Sequence, residues 1–358
     1  MTRVETARME TPLIHMHREA GARLGEFFGC VLPEGFSDFD REYRAAKESV
    51  ALFDTNWSAV VTLSGPDRVR YLNAILSNDI QTLDEGRGVL ALLLNPQGHI
   101  LAELEVYKQD DKLLTVSHAS ARERTVATLD KFIIMDDVEL TDRTDEVGSL
   151  AIEGPRAAEI VKQSCGFALD GLPEMAIRDL DVYGIPCHFL RRSHFGLPGA
   201  QFIAKRERLA DLWGKFLEAA RAIQGEPIGI TTLNSLRLED GVPWFPVDFN
   251  DMTIPHEAAL EGTHISFSKG CYTGQEIVER VRSQGRVNRR RVRLKFSSAQ
   301  PPVFGTRLRA DDVEVGLVTS AAYSPAAATA IGMGYLRREH NTPGSRVSYN
   351  GATAEVLG

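Results

Sequence analysis

The chain has 358 residues, 43% hydrophobic and 25% charged, with a formal net charge of -8. This length exceeds one typical hydrophobic core, so two or three domains are expected, and the composition excludes a largely disordered chain. The acidic balance disfavours general affinity for nucleic acid or an anionic membrane, and no apolar run reaches membrane-spanning length.

Residues 1–20 mix Arg, Glu and His without the apolar run of a secretory signal, so a cytoplasmic protein is expected. Val61-Thr62-Leu63-Ser64-Gly65-Pro66 leading into Asp67 to Leu76 reads as strand, turn and helix. The same pattern returns at Leu150-Ala151-Ile152-Glu153-Gly154-Pro155 leading into Arg156 to Val161, far enough along for each copy to sit in its own α+β half. Between them, Val89 to Leu94 and Ile100 to Tyr107 are apolar runs joined by Asn95-Pro96-Gln97-Gly98, a hairpin whose second strand carries Glu103 and Glu105 on one face. Leu209, Leu212, Trp213, Phe216 and Leu217 recur at helical spacing, predicting an amphipathic helix over Arg206 to Ile223 that covers a sheet. From Arg291 the texture becomes short alternating strands at 292–296, 307–309, 314–319, 330–335 and 346–349, which predicts a small antiparallel barrel. The boundary falls near residue 290, with a mixed α/β region at 1–290 and an all-β module at 291–358.

Four cysteines, Cys30, Cys165, Cys187 and Cys271, lie far apart with no CxxC pair, so no self-contained zinc or cluster site is assigned and a reducing compartment is favoured. Cys187 reads as core. The richest segment is Lys269-Gly270-Cys271-Tyr272-Thr273-Gly274-Gln275-Glu276, which gathers a thiol, a cation, a carboxylate, a carboxamide and two glycines. Glycines on both sides would free the backbone around Cys271, and Lys269 would favour its thiolate. A buried, inert cysteine in a glycine-rich turn is the alternative. Upstream, Arg237, Glu239, Asp248 and Glu257 stand in turn-rich sequence, where side chains reach a cleft, with ordinary surface ion pairs as the simpler account of any one. His256 and His264 flank the octapeptide and are candidate ligands beside Cys271 or plain structural residues, while His99 in the hairpin turn reads as solvent-facing. Between Arg280 and Lys295 eight basic residues stand without an acid. That run reads first as a solvated segment with dispersed ion pairs, then as a holder of the carboxylates of a ligand tail, and last as an RNA contact, for which stacking aromatics are missing.

The stretch from Arg237 to Glu276 resembles the signature region of the YgfZ-type folate-binding proteins, relatives of the glycine-cleavage aminomethyltransferase, in which a KGCxxGQE segment carries the one characteristic cysteine. Leu63 to Leu72, Ser77 to Ile80, Leu94 to Leu101 and Val315 to Pro325 extend the likeness over nearly the whole chain. The resemblance implies an aminomethyltransferase-like cloverleaf of three domains around a folate channel, with the small barrel last. It implies tetrahydrofolate, polyglutamylated in one version, as ligand. It also implies an accessory role in assembling or repairing iron-sulfur clusters, with cluster-assembly proteins or client enzymes as partners and a cluster held transiently in such a complex. Cys271 then falls on the functional cysteine, assisted by Lys269. Arg237 falls on an arginine that contacts folate, and Asp248, Glu257, Tyr272, Gln275, Glu276 and Arg280 complete the candidate cofactor-binding set. Cys271 would ligate a cluster transiently or form a reversible bond with a reactive intermediate, and the protein would not be an enzyme in the usual sense.

The aminomethyltransferase branch carries two adjacent acids in the hairpin, the second orienting the folate nitrogen that accepts the carbon unit. Here those positions are Ala102 and Glu103, a carboxylate one methylene longer. That branch also sets an acid-rich stretch against the pterin, where this chain has Phe195-Gly196-Leu197-Pro198-Gly199-Ala200-Gln201. One-carbon transfer or demethylation by Glu103 therefore stands as the second reading. A binding module for tRNA or a tRNA-modification enzyme, with Cys271 inert, stands as the third.

Overall fold

The computed structural model describes residues 9–358. Residues 1–8, part of the N-terminal stretch read above for a signal, lie outside the described residues. The chain divides into two compact units, each built from two separate stretches: one from residues up to 61 with 142–233, the other from 62–141 with 234–358.

The first unit is organised on a six-stranded sheet in the order Ile177–Val182, Ile185–Leu190, Gly199–Lys205, Val147–Glu153, Ala51–Asp54, Glu226–Pro227. Its pairs are antiparallel except the last. The predicted amphipathic helix forms at Leu209–Ala222 and buries Leu209, Leu212, Trp213 and Phe216. Phe216 meets Phe202 of the sheet at 4.6 Å between ring centroids, so the helical and strand periodicities interlock in one core. The strand Val147–Glu153 passes through Gly154-Pro155 into the helix Ala157–Cys165. Gly154 sits at φ +149°, and a Cβ there would lie 2.5 Å from the Ser49 carbonyl oxygen.

A five-stranded sheet in the order Gly88–Leu94, Ile100–Lys108, Lys112–His118, Ser58–Ser64, Glu139–Asp142 has its first three strands wholly in the second unit. That unit also contains a closed barrel of six strands, Arg289–Phe296, Thr329–Arg337, Val313–Ser324, Arg307–Ala310, Arg346–Tyr349 and Ala352–Leu357. Leu294, Phe296, Leu308, Val318, Leu336 and Val356 fill its interior. The mixed α/β fold with a terminal antiparallel barrel is the architecture the strand spacing predicts. The strand at Val313–Ser324 runs longer than expected because its register shifts between Val318 and Ser320, a bulge that lets the chain bend without ending the ladder.

One element escapes the sequence pattern. Arg237 and Glu239 lie not in turns but in the helix Ile230–Asp240. Thr232, Leu233, Ser235, Leu236, Arg237 and Leu238 are all buried, so the helix has no polar face from which a 3.6-residue period could be read.

Gly154→Ala places a methyl group against the Ser49 carbonyl in a backbone region that L-residues avoid, and is expected to cost about 1–3 kcal/mol. A fall in the urea midpoint with unchanged slope checks it, and an unchanged midpoint counts against the close approach.

Candidate functional site

In the second unit, Glu103 stands on the strand Ile100–Lys108, paired in register with Leu92 of Gly88–Leu94. Alternation buries Ala102, Leu104 and Val106 and sends Glu103 and Glu105 to the other face. Glu105 accepts from the Tyr107 hydroxyl at 2.7 Å. Glu103 Oε1 lies 2.8 Å from His264 Nε2, and its side chain remains 25% exposed. His264 Nδ1 lies 2.7 Å from Thr263 Oγ1. The main chain here is fixed through Ser77, whose hydroxyl donates to the His264 carbonyl at 2.6 Å and accepts from the Leu92 amide at 2.8 Å. His264 was a candidate ligand beside Cys271; the structure turns its ring to Glu103 instead.

The octapeptide follows directly. Lys269 donates its ammonium to the carbonyls of Asn73, Leu76 at 2.6 Å and Asn78 at 3.0 Å, at and just past the end of the helix Arg68–Ile75. Those carbonyls have no partner within the helix, so one buried cation closes the helix end and ties the octapeptide to it. Burial lowers Lys269 to about 8. This corrects the expectation that Lys269 serves the Cys271 thiolate: its three donors are committed to main-chain oxygens. Only one of the expected glycines needs its freedom. Gly274 takes φ +82° at the start of the helix Gln275–Gln284, where a Cβ would lie 2.6 Å from the Asn95 carbonyl of the hairpin turn, whereas Gly270 faces open space without positive φ. Ile277 packs on Gly98 in the same turn. Cys271 is exposed, Tyr272 is buried beneath the Lys269 ammonium, Gln275 is partly buried, and Glu276 and Arg280 are exposed on the helix. Cys30 and Cys187 are buried and pushed up to about 12, chiefly by desolvation, which leaves them unreactive.

Arg237 and Asp248 correct the cleft reading most directly, because both are 0% exposed. Arg237 Nη1 donates to Asp248 Oδ2 at 2.5 Å and to the Val242 carbonyl at 2.9 Å, its Nε donates to Asn234, and its plane lies 4.2 Å from the Trp244 ring. Asp248 Oδ1 accepts from the Thr319 and Ser320 hydroxyls, each at 2.6 Å, and Oδ2 also accepts from the Trp244 amide at 3.0 Å. Two consecutive strand residues normally point to opposite faces; the bulge at Val318–Ser320 lets both hydroxyls reach one carboxylate. Burial opposes the Asp248 charge, but Arg237 and these donors outweigh it and hold the carboxyl below its ordinary range. Its lone pairs are filled, so Asp248 acts as an internal strut. Of the Arg237 nitrogens, Nη2 is buried without a hydrogen-bond partner among the described residues.

Glu257 likewise pairs with Arg289 at 3.0 Å, and its carbonyl accepts from the Arg291 amide. Most of the basic run is held internally: Arg290 pairs with Glu261, Arg291 donates to the Ala258 carbonyl and Arg293 to the Glu239 carbonyl. The ion-paired reading of that run fits, while Arg280, Arg282, Arg286 and Lys295 stay exposed, Arg282 beside Glu279 at 3.4 Å. Among the described residues no group of three His, Cys, Asp or Glu side chains is placed to hold a metal ion.

In the first unit, the segment that replaces the acid-rich pterin stretch is shaped by a residue the sequence reading passed over. Glu153 is fully buried and accepts from the Ser193 hydroxyl and from the amides of His194, Phe195 and Leu197 at 2.6–3.0 Å. Desolvation raises it to about 7 against the pull of those donors.

Comparison with known proteins bears on these arrangements. The family model described as the GCVT N-terminal domain matches residues 13–269, and that described as the glycine cleavage T-protein C-terminal barrel domain matches residues 289–355. The chain is 27% identical over 344 residues to an aminomethyltransferase of Halothermothrix orenii, covering 95% of this chain and 94% of that one. It is 28% identical over 345 residues to an aminomethyltransferase of Symbiobacterium thermophilum, covering 94% and 92%. The crystal structure of the glycine cleavage system aminomethyltransferase T from Bartonella henselae shares the fold, with a TM-score of 0.90 over 98% of this chain and 97% of that one at 24% identity.

Two outcomes test the buried charges. Asp248→Asn leaves Arg237 with no counter-charge, and a loss of about 3–5 kcal/mol in denaturant unfolding is expected. For Glu153, whose folded value is raised, the stabilising contribution of the proton is complete below pH 4.5 and is lost as pH rises through about 7. Unfolding free energy should therefore fall by about 2–3 kcal/mol more between pH 5 and pH 8 in the unaltered protein than in Glu153→Gln, at roughly 1.4 kcal/mol per pK unit. Parallel pH profiles for the two would remove Glu153 from the account.

Proposed function

Because the chain belongs to the GCVT family of T-protein-like chains, we propose that it transfers a one-carbon unit to tetrahydrofolate, with Glu103 as the carboxylate that meets the accepting nitrogen. The observation that carries this reading is the placement of Glu103. It is a partly exposed acid on the hairpin strand, anchored through one oxygen by His264, with the other oxygen bonded to no group among the described residues. That free oxygen can accept a hydrogen bond or a proton from a secondary amine, the group a reduced folate presents, so the donor set fits such a ligand. Tetrahydrofolate, when bound, supplies the nitrogen that receives the carbon. The protein's own part is to hold Glu103 aimed, and to keep the segment behind it from shifting through Ser77 and Lys269.

The family and its aminomethyltransferase relatives favour this reading over the iron-sulfur accessory role that the octapeptide suggests. A specific observation keeps that role as the second reading: Cys271 is an exposed thiol on a loop held rigid by Lys269 and Gly274, a poor use of a residue type usually buried. On that reading Cys271 would act with tetrahydrofolate bound nearby, toward cluster-assembly proteins or client iron-sulfur enzymes.

The two readings separate in one experiment. The purified protein is given tetrahydrofolate and an S-aminomethyl dithiol carrier, and methylene-tetrahydrofolate, ammonia and free thiol are followed together. Transfer is expected, reduced about 100-fold or more in Glu103→Gln and unchanged in Cys271→Ser. No transfer by the unaltered protein, together with loss of iron-sulfur enzyme activity in cells carrying Cys271→Ser, would move the assignment to the second reading.

A further inference from the structure

We propose that His264 is a positioning residue for Glu103: with Thr263 it fixes one carboxylate oxygen and leaves the other, Oε2, as the oxygen presented to a ligand. The use made of that oxygen rests on the transfer reading above; the fixing does not. A glutamate on a strand has one more rotatable bond than an aspartate, and an unanchored carboxylate there would sweep over distances that ruin a near-attack geometry. His264 removes that freedom. Its Nε2 lies 2.8 Å from Glu103 Oε1, within an ordinary charge-assisted hydrogen bond.

Both ends of this contact are fixed independently. Leu92 pairs in register with Glu103, the Leu92 amide donates to Ser77 Oγ at 2.8 Å, and Ser77 Oγ donates to the His264 carbonyl at 2.6 Å. The path from Glu103 through Leu92 and Ser77 to His264 and back through the imidazole is therefore a closed ring. Asn78 adds a second tie, donating its amide to the carbonyls of Leu90 and Thr263. Thr263 Oγ1 then matches one tautomer. It lies 2.7 Å from His264 Nδ1 and 3.4 Å from the Leu260 carbonyl; with Nε2 donating to the Glu103 carboxylate, a neutral ring has its lone pair at Nδ1, where it accepts the Thr263 hydroxyl. That assignment puts the ring proton on Nε2, where it is donated to Glu103 Oε1, and leaves Oε2 outside the pair.

Two measurements test this. The first needs no activity: in protein labelled with 15N-histidine, His264 should show the Nε2-H tautomer with Nδ1 as acceptor, its Nε2 resonance should move in Glu103→Gln, and Thr263→Val should disturb the tautomer. An Nδ1-H tautomer, or a resonance indifferent to Glu103→Gln, overturns the proposal whatever the protein catalyses. The second uses the transfer assay. His264→Leu should lower kcat by about 10- to 100-fold with the tetrahydrofolate Kd changed by less than about threefold, and His264→Gln, which keeps a donor near the same place, should recover most of it. Equal losses in Leu and Gln variants, or loss of folate binding and thermal stability in both, would mark His264 as merely structural and overturn it. Absence of transfer in the unaltered protein would overturn the transfer reading, and the resonance measurement would then decide the positioning claim by itself.

Discussion

A single hydroxyl, that of Ser77, ties the candidate site together. It receives the Leu92 amide and gives its own proton to the His264 carbonyl, so the hairpin strand opposite Glu103 and the segment preceding the octapeptide cannot move separately. Both groups it serves are buried main-chain atoms, for which an unmade hydrogen bond is costly. Lys269 repeats the device a few residues on, closing the end of the helix Arg68–Ile75, and Gly274 repeats it again by admitting the Asn95 carbonyl where any side chain would collide. These contacts register the octapeptide against the hairpin and the end of that helix, alongside the packing of Ile277 on Gly98.

Charged residues in this protein divide by burial into struts and instruments. Arg237, Asp248, Glu257 and most of the basic run are spent on one another or on main-chain oxygens, which is how a desolvated charge must be kept. Glu103 differs in having one oxygen engaged and one not, and Cys271 differs in being exposed where Cys30 and Cys187 are buried and Cys165 is partly so. A group with unused capacity is the kind that meets a ligand, so the same burial argument that removes Asp248 from the site keeps Glu103 in it. Arg237 stays with the struts, although its Nη2 has no hydrogen-bond partner among the described residues.

The order of the two functional readings reverses for a related reason. With the acid-rich pterin stretch gone, the octapeptide draws attention to Cys271 and away from the hairpin. The longer side chain at position 103 reads as a misplaced acid when its neighbours are unknown. Once His264 is found beside it, the extra methylene becomes the reach needed to meet an imidazole and still present an oxygen.

By itself the sequence determined whatever depends on short-range pattern. The hairpin at Asn95–Gly98, the amphipathic helix over Leu209–Ala222 and the terminal barrel follow from alternation, helical spacing and turn residues, which are local properties. It also marked Cys271, a thiol among glycines, and, through the family resemblance alone, Glu103 as the hairpin acid. Tertiary structure decided the rest. The helix Ile230–Asp240 was hidden because its buried residues include Thr232, Ser235 and Arg237 as well as the leucines, and the Arg237–Asp248 pair because its remaining partners come from a bulged strand about seventy residues away, Thr319 and Ser320. His264 carries no pattern that points to Glu103, which lies 161 residues earlier. Hydrogen bonds across such separations leave no periodic trace in a chain, since their geometry exists only after the strands and loops that carry them have been placed.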